Sequence, residues 1–510
     1  GSVGANGLIR AGWQATLNLG GNLAVAGTLN LYHESSLNLA GNTLDLSGGK
    51  IEMSGSHNLG GITTDNATTL QINQWAQAFR TDNGTTTVGN LEMAQEQSHN
   101  DNSSNHGTHF GVDNMSLTVA GNVQIEQGSI ELKNSTLTLQ QTVSADNASI
   151  IVKNSGELIL QDGLSFSNGN LYLENSVFKP KGSVLLADSG YGLNNSTTEL
   201  QGDTTFSRNG SVGFTVLDLN GNTLTLGSNV TDAYVNGALS IGTGESLSSG
   251  SSNLNLNDNL TIGNGGILSS DNGSVTISSG LALTGELRQG GGLLNLIGGG
   301  TVGSTGRLDV SNSSLQLGSA LSFAGTLVVN SGTSWSGLGG TVDLSAGTLE
   351  SSGGTLNLDQ FTTGANTAFK LSGNTEITSS DNMTFGTLDL GGNRLTLGTG
   401  SKGLTLPNTL TMDNVSSAIE TKNVNLTLGK ALSLTSGSIT STGGTLRFTG
   451  GLTLGASGVL DVTGSTLVAA GDLNLSSGTF SSSNASILRL QSATTLSSSN
   501  PVSFGSLNFE

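Results

Sequence analysis

The 510-residue sequence has no cysteine, three prolines, 4% aromatic residues and 10% charged residues. Without cysteine there are no disulfides and no thiolate metal sites, so packing alone must hold the chain together. Seventeen basic residues against 36 acidic ones leave a net charge of −19. An acidic chain with no basic patch argues against nucleic acid or anionic lipid as a partner. No apolar run approaches the roughly 18 residues of a membrane span, and the N-terminus carries no signal-peptide pattern. If the protein is exported, the sequence is expected to be a processed piece of it.

Glycine, at 77 residues, fills the space left by the missing types, together with Ser, Thr, Asn and Leu. It keeps no three-residue beat, which excludes a collagen triple helix. The apolar third of the chain is too large for a disordered linker. The order shows best near the C-terminus. Leu426, Leu446, Leu467, Ile487 and Leu507 step by 20, 21, 20 and 20 residues; Leu432, Leu452 and Leu473 form a second track, and Ile439, Leu460 and Phe480 a third. Within each track the side chains alternate with the period of a strand, and Gly, Ser, Asn and Asp fill the turns.

Three strands per cycle of about 20 residues predict an all-β fold, a parallel β-helix of triangular section. The handedness rule for parallel crossovers makes it right-handed. Stacking also accounts for the composition. Equivalent side chains form ladders about 4.8 Å apart, where like charges repel and Ser, Thr and Asn can hydrogen-bond. About 450 residues in this pattern give on the order of 22 rungs and a length of about 105 Å. "LDLNGNTLTLG" from Leu217, "LDLGGNRLTLG" from Leu388 and the looser "LNLAGNTLDLS" from Leu37 read as two strands joined by a Gly-Asn corner. The closing "FGSLNFE" stops partway through that sentence, so the native chain is expected to continue beyond Glu510.

One stretch breaks the rhythm. Residues 57–115 are predicted to be an extra-helical insert between N-terminal rungs (1–56) and a continuous β-helix (116–510). In "TLQINQWAQAFR" the spacing of Ile72, Trp75 and Phe79 predicts a short amphipathic helix. Packing of that helix on the solenoid wall accounts for both aromatics; contact with a ligand is the alternative. The same stretch carries His57, His99, His106 and His109. Protruding loops often carry function, so the candidate binding residues are Trp75, Phe79, Arg80, His99, His106 and His109. The histidine spacing matches no metal signature, and no metal is expected.

Catalysis on a β-helix needs several Asp, Glu, Arg or Lys residues gathered on neighbouring rungs. The acids here are spread thinly, Glu350 and Asp359 being one pair that could approach. "ADSGYG" at Ala187–Gly192 lacks the residues of a serine-protease nucleophile motif. There is no phosphate-binding loop, zinc-protease motif or calcium nonapeptide. The reading is a non-enzyme without cofactors.

The rungs of about 20 residues rich in Gly, Ser, Thr and Asn, the missing cysteine and the recurring "LDLxGNxLTLG" resemble the passenger domains of bacterial type V autotransporters. The likeness is to large adhesins and, more loosely, to vacuolating-cytotoxin-like passengers. It implies a removed signal peptide, a C-terminal outer-membrane β-barrel translocator, and an extracellular or cell-surface location. It further implies an adhesin whose partner is a host-cell or bacterial receptor or a glycan, with self-association as a further mode. A secreted toxin or a polysaccharide-active enzyme on the same scaffold is the alternative.

Overall fold

The computed structural model describes residues 1–93, 108–125, 128–330, 332–337, 339–491 and 493–510. The chain divides into two compact units, Gly1–Asp258 and Asn259–Glu510. Each is a parallel β-solenoid with three short strands per turn of about 21 residues, wound right-handed. The described residues contain no helix. Every strand pair in register is parallel, so each turn's N–H and C=O groups are satisfied by the turns above and below.

The leucine tracks fall where the period places them, with one correction. Leu432, Leu452 and Leu473 stack directly, as do Ile439, Leu460 and Phe480. In the first track the partner of Leu467 is Leu488, not Ile487; Ile487 opposes Thr466 and Leu507 follows Leu488. Both residues are apolar, so spacing alone does not separate them, and a one-residue slip exchanges inside for outside. The interior columns are built of aliphatic residues with phenylalanine among them. Leu406, Leu428 and Phe448 succeed one another in a second-unit column, each nearly or fully buried.

The repeated Gly-Asn sentence is a corner device. Asn222 Nδ2 donates to the carbonyls of Leu219 in its own corner and Leu200 one turn below. Asn393 does the same to Leu390 and Leu371, and Asn42 to Leu39 and Leu19. Two left-handed residues precede each: Asn220 and Gly221, Gly391 and Gly392, Ala40 and Gly41. Two positive φ angles in succession make a tight reversal. The Asp or Asn two residues before the turn accepts a backbone N–H, as Asp218 does from Asn220 at 2.9 Å. The device needs only its own corner and the carbonyl beneath it, so in the first unit it joins different pairs of strand rows: Ser36–Asn38 to Leu44–Asp45, and Val216–Asp218 to Thr223–Leu226.

A second corner explains part of the glycine content. Gly285, Gly306 and Gly325 stand one above another in successive turns of the second unit, and a Cβ on any of them would strike a carbonyl oxygen of the turn below. A third device uses buried hydroxyls. Thr333, Thr367, Ser465 and Ser486 each donate to a carbonyl of the preceding turn at 2.7–2.9 Å.

The predicted insert and its helix are corrected by the structure. Thr69–Phe79 is an 11-residue strand paired with Lys50–Asn58 below and with Asn90–Met93 and Thr108–Asp113 above. Residues 57–93 and 108–115 therefore belong to solenoid turns; 94–107 lie outside the described residues. Leu70 and Ile72 point inward, then Ala76 and Ala78, all fully buried. Between the two pairs the register shifts, so that Asn73, Gln74 and Trp75 oppose the single residue Ser54. The helix-like spacing arose from counting the interior Ile72 together with the outward Trp75 and Phe79 across that bulge.

Two changes test this packing. Leu428→Asp places a carboxylate in a dry column and should cost more than about 3 kcal/mol, seen as early proteolysis of neighbouring turns; unchanged protease resistance would refute the register. Asn393→Ala removes the corner clamp and should cost about 1–2 kcal/mol in urea denaturation, with β-sheet circular dichroism retained.

Candidate functional site

The bulge aims the outward side chains of Thr69–Phe79 onto the face of an 11-stranded sheet in the first unit. Register sets three outward columns there. Trp75 opposes His109, which opposes Ser129. Gln77 opposes Gly111, then Glu131, Ile151 and Tyr172. Phe79 opposes Asp113, then Lys133, Lys153 and Glu174. Trp75 is 47% exposed and Tyr172 44%.

A groove of about 190 Å³ lies among Trp75, Gln77, His109, Gly111, Asp113, Glu131 and Lys133. Gly111 leaves space that the side chain of Gln77 leans across. Gln77 Nε2 donates to Asp113 Oδ2 at 3.4 Å, while Asp113 Oδ1 has no hydrogen-bond partner in the protein. His109 Nδ1 lies 2.8 Å from Ser129 Oγ, and His109 Nε2 is 3.7 Å from Glu131 Oε2. Lys153 Nζ holds the other oxygen of Glu131 at 3.1 Å. The site combines one exposed indole face with a balanced set of hydrogen-bonding groups. It suits recognition of a polar ligand that also has an apolar face.

Of the sequence-predicted residues, Trp75 and His109 come together in the groove, and Phe79, half-buried, lies on the same outward face. Arg80 has a different task. Its guanidinium grips both carboxylate oxygens of Asp82 at 2.7 and 2.8 Å and reaches the carbonyl of Thr85 at 3.2 Å, closing the corner after the strand. His99 and His106 lie outside the described residues. His57 is buried, its Nε2–H donating to the carbonyl of Ser54 at 2.9 Å; burial holds its pKa below the ordinary value. Among the described residues no three of His, Asp and Glu stand close enough to hold a metal ion. Glu350 pairs with Arg307 at 2.8 Å, and Asp359 accepts the N–H of Ser380 at 2.6 Å, so each has its own structural partner.

Sequence reasoning missed Gln77, Asp113, Glu131 and Lys153, which meet only through stacking. It also missed Trp13 and His33. They stand 20 residues apart, one period of the chain, and their rings lie 6.2 Å apart. That spacing was the available signal.

The Arg80–Asp82 corner gives a pH prediction. The Arg80 hydrogen bonds, and next the Gly84 N–H, hold the Asp82 carboxyl far below its ordinary value of 3.8. A depressed carboxyl stabilises the fold above that value and loses its contribution as the pH falls through the folded pKa. Hydrogen-exchange protection around Gly84–Thr86 should therefore weaken on acidification below about pH 4. In Asp82→Asn it should be weaker already at neutral pH and flat across the same range.

The chain matches no protein-family model and no curated protein.

Proposed function

We propose that the chain is the passenger part of a bacterial autotransporter, displayed at the cell surface as an adhesin. The supporting observation is the exposed Trp75 indole set beside His109, Gln77 and the Glu131–Lys153 pair, on a solenoid whose outward residues are otherwise mostly small and polar. A stacked scaffold of this kind presents side chains on a fixed lattice, so a contact surface forms without rearrangement and with little ordering cost. Its partner is a receptor or glycan on a host cell or a neighbouring bacterium. An outer-membrane β-barrel would supply export and anchoring.

The test is attachment of the labelled protein to cultured cells and to bacteria. Trp75→Ala with His109→Ala should lower attachment roughly tenfold, about 1.4 kcal/mol, with unchanged circular dichroism. Equal attachment by the double variant would remove this face from the contact.

A further inference from the structure

Resting on the attachment reading, we infer that the corner of the first turns carrying Trp13, Tyr32, His33 and Trp75 is a lengthwise binding strip for a neutral, β-linked hexose polymer. The chain has three tryptophans, and two stand on this corner. Ala11 opposes Leu31 and Leu31 opposes Met53, so Gly12 and Trp13 lie beneath Tyr32 and His33, and these beneath Ser54 and Gly55. Trp75 enters at the next turn, immediately before Ala76, the partner of Gly55. Trp13 is 69% exposed, Tyr32 48% and Trp75 47%. Gly55, at φ 91°, has no side chain, and a Cβ there would press on His33, which lies against it.

Beside the strip is a hollow of about 100 Å³ lined by Asn30, Tyr32, Glu52, Ser54 and Asn73. Asn30 is 6% exposed, and its Nδ2 donates to Glu52 Oε2 at 2.7 Å. A carboxylate requires a donor, so the amide cannot be turned round. Asn30 Oδ1 then faces away from Glu52, with no hydrogen-bond donor in the protein. A buried acceptor in that position takes its hydrogen bond from a water or from a ligand hydroxyl.

Geometry and charge choose the ligand. Successive turns are about 4.8 Å apart, close to the length of one pyranose unit, and the strip runs along the stacking direction for about 14 Å from Trp13 to Trp75. Pyranose rings offer C–H faces to the indoles and hydroxyls to Asn30, Asn73 and Glu52. Glu34 is tied to Trp13 Nε1 at 3.1 Å and to Gln14 Nε2 at 2.7 Å, and Glu52 to Lys50 at 3.1 Å. With Arg10 opposite Asn30, two carboxylates balance two cations, and a sulfated chain gains no net attraction.

The test is calorimetric titration of the whole chain with an oligosaccharide of β-linked neutral hexoses, and with a sulfated glycosaminoglycan fragment of equal length. The neutral oligosaccharide should bind and change the tryptophan fluorescence. Trp13→Ala and Tyr32→Ala should each weaken it roughly tenfold; both side chains are exposed, so these variants keep the fold. Preference for the sulfated fragment, or equal binding by Trp13→Ala, overturns the proposal. If the neutral oligosaccharide fails to bind while the protein still attaches to cells, the ligand class falls and the attachment reading stands. If neither binds, both fall.

Discussion

Everything in these units depends on the parallel backbone ladder between one turn and the next. A turn of three or four-residue strands has no partner within itself for its N–H and C=O groups. It is stable only as a layer between two others. That requirement sets the period, because each residue must find its equivalent in the next turn, commonly 19 to 22 positions away, as Leu29, Ile51 and Leu70 do. It also disfavours like charges in adjacent layers. Lys133 does face Lys153, but the ammonium of Lys153 is drawn to Glu131, and opposite charges meet between layers where Lys179 lies between Glu157 and Glu199. Solvent screens such half-exposed pairs, so they contribute little stability and chiefly avoid repulsion.

The corners carry the next burden. A chain that reverses three times per turn must satisfy the carbonyls that point inward at each bend. Two devices do so, an asparagine amide shared between two turns and a buried serine or threonine hydroxyl bonded to the layer below, while glycine makes room where backbones nearly touch. Each leaves a composition mark. The high Asn, Ser, Thr and Gly content is thus the record of corner chemistry, and the aliphatic residues record the bore.

The outward face of the first unit departs from this economy. Aromatic rings stand in water at Trp13, Tyr32 and Trp75, and acids and bases meet in the Trp75 groove. Large exposed rings cost solubility and do nothing for the ladder. Their alignment on one corner and one sheet face sets that region apart from the rest of the described surface.

Period and alternation were enough to read the solenoid, its three tracks and the Gly-Asn corner from the sequence, because each is a local pattern repeated many times. The site was only half legible. Trp75 and His109 stood out by type, but 34 positions separate them and the period alone does not pair them. Thr69–Phe79 read as a helix because a strand bent by a three-residue bulge gives nearly the same apolar spacing as a helical face. Only the packed layers above and below decide between the two, since they claim the backbone groups that a helix would bond internally. A repeat of this period has to stack, because no single turn can pair its own backbone; which side chains meet depends on the register of one layer on the next.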